Sequence, residues 1–386
     1  MRSDHKKPIP YGRQSLDEDD IQAVVSVLRS SFWTTGPKVE EFEQRLMEVT
    51  SASHACVVAN GTAALHLLYT AVGIKRGDTV IVPAITFLST ANAAVLLGAE
   101  VVFADVDPDS GLLTAETLRA ACVRNPTAKA AVAVHLNGQA CDNYALLQVC
   151  NEFGMLLLED AAHALGSCEP HQEGGERKVG ECIHSSGACF SFHPVKTIAM
   201  GEGGAVTTQD PAIAEKITRL RTHGMVRDPS KFGVNSFDHR GRRKPWLYSM
   251  TEPGFNYRAS DILCALGLAQ INRLPDFLKE RRRQVDIYDD AFSSMAKVMK
   301  PLKKNLNIKT GWHLYPVFCL QGENVRADLF HYLSENGIQP QVHYLPLPMQ
   351  PYYKSAQGML LFPNALKYYS QAVTLPLFVG MTPDEQ

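Results

Sequence analysis

Lys196 ends the run Phe190-Ser191-Phe192-His193-Pro194-Val195 and is followed at once by Thr197-Ile198-Ala199-Met200-Gly201-Glu202-Gly203-Gly204. A lysine between an apolar strand and a glycine-rich turn, with the Ser191 hydroxyl just upstream, is placed to form an imine with a carbonyl cofactor. Taken singly, a lysine after a strand is far more often an ordinary solvated residue. The assignment therefore depends on what else the chain brings to strand ends.

Three stretches qualify. Asn60-Gly61-Thr62-Ala63 puts a glycine, a hydroxyl and backbone N–H groups at a predicted helix N-terminus, which is either a plain cap or a phosphate cradle that Ser191 can join. Glu159-Asp160-Ala161-Ala162-His163-Ala164 follows an apolar strand at 155–158. A carboxylate there stays ionised only against a cation or hydrogen-bond donors, and a protonated pyridine nitrogen would serve; the competing reading of Asp160 is a helix cap. Phe87, just past a strand at 79–82, offers a ring to stack on a flat cofactor or to fill core. A lysine, a carboxylate, a stacking face and a phosphate cup are the parts that pyridoxal 5'-phosphate requires.

The elements that must position these residues follow from periodicity. Helical spacing is expected at 16–28 and 39–49, then short apolar strands at 55–58, 79–82, 101–103, 130–134, 155–158, 188–192 and 205–208. Helices at 63–72, 89–97, 114–122 and 144–153 alternate with the first five of those strands. Near-continuous apolar strands separated by helices predict an α/β fold with a mostly parallel sheet covered on both faces, whose ligands collect at the carboxyl ends of strands. A polar loop at 225–253 precedes helices at 260–273 and 276–296. Beyond these, a strand at 314–318, a helix at 326–335 and a strand at 341–344 predict a smaller α+β lobe, dividing the chain into 1–275 and 276–386. Thr382-Pro383-Asp384-Glu385 carries the signals of a helix start, so a final helix is expected beyond residue 386.

Composition narrows the function classes. With 386 residues, 45% hydrophobic, 20% charged and a formal net charge of -2, the chain has no electrostatic reason to bind nucleic acid. No apolar run approaches a membrane span and the N-terminus has no signal-peptide core, so a cytoplasmic address is expected. Nine cysteines without CxxC spacing suggest reduced thiols. Cys168, His171, Cys182 and His184 fit no standard zinc spacing, and no metal is expected.

Asn60-Gly61-Thr62-Ala63-Ala64-Leu65, Glu159-Asp160-Ala161-Ala162-His163-Ala164, Ser191-Phe192-His193-Pro194-Val195-Lys196 and Gly254-Phe255-Asn256-Tyr257-Arg258 resemble, in that order, the motifs of the DegT/StrS-type nucleotide-sugar aminotransferases. Within that family the pattern is most similar to the transaminases of pseudaminic acid synthesis. The similarity lies in Ser191-Phe192-His193, Arg221-Thr222-His223-Gly224-Met225, His313-Leu314-Tyr315-Pro316 and Gln341-Val342-His343-Tyr344. The resemblance implies fold type I of the pyridoxal phosphate enzymes, with Lys196 as Schiff-base lysine, Asp160 at the pyridinium nitrogen, His163 near the phenolic oxygen and Phe87 as stacking ring. It implies that Thr62, Ala63 and Ser191 hold the phosphate, joined by Asn256 from a second subunit of a homodimer. For the sugar nucleotide it points to Tyr11, Ser31, Phe32, Trp33, Thr34, Asn60, Gln341, Val342, His343 and Tyr344, with Ser191 and Asn256 shared.

The implied reaction moves the amino group of L-glutamate to C4 of a UDP-linked 4-keto-6-deoxy-N-acetylhexosamine. Other readings are an aminotransferase for a dTDP- or GDP-linked keto-hexose and a regulatory protein that binds without turnover. Sugar 3-dehydratases of the superfamily replace the lysine with histidine, and Lys196 speaks against them. The loop 225–253 and the segment 168–181 are longer than the pattern and bear on substrate choice.

Overall fold

The computed structural model describes residues 8–386 except 171–176, 229, 231, 233, 306, 307, 354–357, 359 and 360. Seven short apolar strands form the central sheet: β1 His54–Val58, β2 Thr79–Pro83, β3 Glu100–Ala104, β4 Ala130–Val134, β5 Leu156–Asp160, β6 Ala188–Ser191 and β7 Gly204–Thr208. β4 and β7 are buried at every position, as a sheet covered on both faces requires. The order is β1-β7-β6-β5-β4-β2-β3. β7 runs antiparallel to both neighbours, and the remaining pairs are parallel. Register places Asp160 beside Val134 and Cys189, so the acid at the end of β5 and the segment after β6 open on one edge of the sheet.

Helices cover the sheet. α1 (Glu18–Leu28) and α2 (Pro37–Thr50) precede it; α3 (Gly61–Ala71), α4 (Leu88–Leu96), α5 (Ala115–Arg124) and α6 (Asn143–Glu152) alternate with its strands, and α7 (Pro211–Leu220) follows β7. Their starts obey local chemistry: Asp17 and Asp20 form a reciprocal capping box on α1, and Asn60, Thr114, Asp142 and Asp210 cap α3, α5, α6 and α7. α8 (Asp261–Asn272) leads almost directly into α9 (Leu274–Ser293), whose first turn carries a proline. A second, antiparallel sheet of β8 (Met299–Pro301), β9 (Tyr315–Cys319) and β10 (Ala372–Leu375), with α10 (Glu323–Glu335) and α11 (Pro363–Gln371), makes the smaller C-terminal portion. This is the expected α/β architecture.

Some local expectations change. The strand expected at 341–344 does not form; Ile338–Gln339 instead pairs in parallel with Ile9–Pro10, and Gln341 keeps one isolated bridge to Thr374. Pro340 has no N–H to extend the ladder. The result carries Tyr11 to His343, with ring centroids 5.2 Å apart. The loop 225–253 holds an antiparallel pair, Met225–Val226 with Ser249–Met250, and Cys168–Glu169 pairs with Arg177–Lys178 in the other expanded segment. His171 lies outside the described residues. At the C-terminus the Thr382 N–H donates to Glu385 Oε2 at 2.8 Å and the Glu385 N–H to Thr382 Oγ1 at 3.3 Å, around a turn at 383–385.

Candidate active site

Lys196 faces a cavity of about 570 Å³ at the carboxyl end of the sheet. Of the residues singled out from the sequence, Tyr11, Asn60, Thr62, Ala63, Phe87, Asp160, His163, Ser191, Lys196, His343 and Tyr344 line it. A larger depression of about 760 Å³ between α2, α7 and residues 225–228 contains none of these side chains. The candidate site is therefore the smaller cavity, where these residues meet.

The lysine is tuned by two opposed effects. Burial lowers its pKa to about 8, and the nearby Asp160 carboxylate opposes the shift. Asp160 is itself held at both oxygens: Oδ1 accepts the Ala162 N–H at 3.1 Å and Oδ2 accepts from Thr90 Oγ1 at 2.7 Å. Phe87, at the N-cap of α4, is 52% exposed and presents its ring to the cavity, 5.9 Å from that of Tyr344.

Three buried imidazoles surround this pair. His163 and His313 lie with ring centroids 4.5 Å apart, and burial, reinforced by the Lys196 charge, pushes both well below the usual histidine range. His343 is pushed down to about 3 for the same reasons. All three are neutral at physiological pH. The Asn137 N–H points at His163 Nδ1 at 3.4 Å, so the ring proton sits on Nε2, which lies 3.2 Å from the Tyr344 hydroxyl. Burial, then the Asp160 charge, raises the Tyr344 pKa and keeps the phenol protonated.

The residues expected to cradle a phosphate pack closely together. Asn60 Oδ1 takes the Ala63 N–H at 2.9 Å, leaving Gly61 and Thr62 N–H groups without intrahelical acceptors. Thr62 Oγ1 lies 2.7 Å from Ser89 Oγ. A Cβ on Gly61 would fall 2.9 Å from Ser191 Cβ, and one on Gly204 would collide with the Asn60 backbone. Only glycine at both positions permits this packing, which brings Ser191 to the end of α3. An amine of lowered pKa, a fixed carboxylate, an exposed ring and a helix N-terminus around one cavity fit pyridoxal phosphate.

Other expected residues lie elsewhere within the chain. Ser31, Phe32, Trp33 and Thr34 are exposed; Trp33 Nε1 donates to the Leu28 carbonyl at 3.2 Å, and Thr34 bridges Ser260. Asn256 is exposed and pairs through its backbone with Thr222. Gln341 and Val342 are not part of the cavity wall, although their neighbours His343 and Tyr344 are. The structure adds Thr86, Ser89, His193, Glu202 and Tyr257 to the wall, with Thr90 behind it. Thr86 and Thr90 carried no periodic signal, because Thr86 precedes the helix that holds Thr90; Tyr257 carried one only through its motif.

On the other face of β5, Glu159 Oε2 lies 2.8 Å from His135 Nε2, and Glu169 Oε1 accepts from Asn143 Nδ2 at 2.9 Å. Ligand-type atoms of His135, Glu159 and Glu169 fall within 4.8 Å of one another. The Cys141 N–H occupies His135 Nδ1 at 3.0 Å, so both imidazole nitrogens are engaged by protein groups.

The model of the DegT/DnrJ/EryC1/StrS aminotransferase family matches residues 14–386. The UDP-4-amino-4,6-dideoxy-N-acetyl-β-L-altrosamine transaminase of Campylobacter jejuni is 36% identical over 370 residues, covering 95% of this chain and 92% of the relative. Helicobacter pylori PseC, an aminotransferase of pseudaminic acid biosynthesis, superposes with a TM-score of 0.87 at 29% identity, covering 98% of this chain and 96% of that one. The sugar aminotransferase Spr1654 of Streptococcus pneumoniae in its pyridoxal phosphate form gives a TM-score of 0.86 at 29% identity, with coverage of 98% and 95%.

Proposed function

Because the chain belongs to the DegT/DnrJ/EryC1/StrS aminotransferase family and is a pyridoxal phosphate-dependent sugar aminotransferase, we propose that it acts on a UDP-linked 4-keto-6-deoxy-N-acetylhexosamine with L-glutamate as donor. The product is UDP-4-amino-4,6-dideoxy-N-acetyl-β-L-altrosamine, for pseudaminic acid or another surface glycan. The observation that carries the catalytic part is that Lys196, Asp160 and the glycine-dependent cradle at Gly61 open into one cavity. The substrate is supported by similarity to the Campylobacter jejuni enzyme and to PseC.

Bound pyridoxal phosphate supplies a carbonyl carbon that takes the amino group and a ring that accepts electrons. Lys196 would hold it, Asp160 would face its ring nitrogen, Phe87 would stack on it and His163 would lie beside its phenolic oxygen. Thr62, Ala63 and Ser191 would receive the phosphate. With a pKa of about 8, the Lys196 amine is a competent base near neutral pH. Its Nζ removes the proton from the α-carbon of glutamate in the first half-reaction and delivers one in the second, when the sugar gains nitrogen at C4. Tyr344 accepts the His163 Nε2–H at 3.2 Å and, kept protonated, would offer its own O–H to a bound ligand.

Two copies assemble as a homodimer in which Asn256 of the partner subunit completes the phosphate site. The exposure of Asn256 and of Ser31 to Thr34 supports this arrangement. Tyr11, Asn60, His343 and Tyr344 meet the sugar nucleotide, with Ser31 to Thr34, Gln341 and Val342 at its outer edge. The boundary between the cofactor-binding domain and the small domain falls at residue 275. Among the described residues no helix is long and apolar enough to cross a membrane, and the enzyme works in the cytoplasm.

The test incubates purified protein, pyridoxal phosphate and glutamate with UDP-, dTDP- and GDP-linked 4-keto sugars and identifies products by mass spectrometry. Amination of the UDP-linked N-acetyl sugar is expected. Turnover of dTDP- or GDP-linked sugars alone would overturn the substrate assignment.

A further inference from the structure

Asp160 accepts two hydrogen bonds, and the second sits within a directed chain. A carboxylate has no proton to give, so Thr90 Oγ1, 2.7 Å from Asp160 Oδ2, is the donor. With its proton committed there, Thr90 can only accept from Thr86 Oγ1, also at 2.7 Å. Thr90 is fully sealed from solvent, and Thr86 and Asp160 are nearly so. Water therefore offers no substitute for either hydroxyl.

Thr90 lies in the first turn of α4 and Thr86 in the bend just before its N-cap residue Phe87, whose ring is turned toward the cavity. Tyr69 fixes that turn from behind, its hydroxyl donating to the Thr90 carbonyl at 3.0 Å. A single turn of chain thus sets the orientation of the carboxylate and of the stacking ring, two groups from different strand ends that must meet one flat molecule.

We propose that Thr90 is a positioning residue for Asp160, with Thr86 orienting its hydroxyl, so that the carboxylate keeps a free lone pair aimed at the ring nitrogen of pyridoxal phosphate. This rests on the reading of the cavity as the cofactor site. A hydroxyl donor to one oxygen fixes the carboxylate in rotation. Without that donor, Asp160 keeps only the Ala162 N–H, on the other oxygen.

The full-length protein and its variants Thr90→Val and Thr90→Ser are compared by absorbance titration of the apoprotein with pyridoxal phosphate, by the pH dependence of the bound cofactor's absorbance, and by kcat and KM for glutamate. Thr90→Val should bind the cofactor and turn over roughly 10-fold or more worse, the scale of one lost hydrogen bond to a charged group, with a displaced absorbance midpoint and a KM little altered. Thr90→Ser, which keeps the hydroxyl, should recover most of the loss. A Thr90→Val protein with wild-type affinity and midpoint, or a Thr90→Ser protein as impaired as it, overturns the inference.

Should Thr90→Val not fold, Thr86→Val, which leaves the Thr90 donor in place but frees its direction, is read by the same midpoint: displaced in support, unmoved in refutation. If the wild-type protein itself takes up no pyridoxal phosphate, the cofactor-site reading falls first and takes this inference with it.

Discussion

Lys196 and Asp160 share one cavity and act on each other through it: burial draws the lysine's pKa down to about 8, and the Asp160 charge works in the opposite direction. The relationship follows from sheet register, since β5 ends on Asp160 beside Cys189 of β6 and the chain returns from β6 to place Lys196 over the same edge.

Uptake of pyridoxal phosphate by the apoprotein needs the neutral amine, so its rate should rise with pH around a midpoint near 8. Asp160→Asn removes the charge that favours protonated lysine and should shift the midpoint lower. Stopped-flow absorbance across the pH range measures both, and a midpoint that rises in the variant contradicts the coupling.

Lys196→Ala should abolish transamination. Its amine faces the cavity rather than the core, so circular dichroism and thermal unfolding should change little. Retained turnover would remove Lys196 from the catalytic role.

Gly61→Ala should weaken cofactor binding by pressing a methyl group against Ser191, where a Cβ would sit 2.9 Å from Ser191 Cβ. Relief requires moving α3 away from β6, an overpacking cost of about 1–3 kcal/mol. A lower melting temperature with a raised Kd for pyridoxal phosphate is expected; wild-type values for both would show the cradle to be more tolerant.

Burial and the Glu159 charge raise the pKa of Glu169. Glu169 therefore binds its proton more tightly in the folded protein than in the unfolded chain, and stability falls as pH climbs from the ordinary glutamate value to the raised one. Glu169→Gln mimics the protonated form and keeps the acceptor for Asn143. Its stability relative to wild type, from urea denaturation at several pH values, should improve as pH rises through that window. A flat difference would place the proton elsewhere.

Much of this was legible from residue types. Apolar runs of fixed length marked the strands of the sheet, and Asn60, Asp160, Ser191 and Lys196 stand at ends of elements where ligand chemistry gathers. What escaped were relations with no period. The region 341–344 read as a strand from its residue types, whereas Pro340 ends the pairing at Gln339 and sends His343 toward Thr374, Nδ1 lying 2.9 Å from the hydroxyl. Trp33 also donates its Nε1–H to the Leu28 carbonyl, a contact that only the helix end reveals. Nothing in the sequence marks Thr90, because the partner of its hydroxyl comes from a distant strand.

The close packing of Gly204 on the Asn60 backbone bears on how the protein is made. β7 inserts between β1 and β6, so the candidate phosphate cradle joins segments separated by most of the large sheet's sequence. A chain emerging from the ribosome has Asn60, Gly61 and Thr62 long before it has the strand that closes over them. Contacts of such large sequence separation form slowly. A chain arrested before β7 therefore carries the motif residues without the packing that Gly204 makes on the Asn60 backbone.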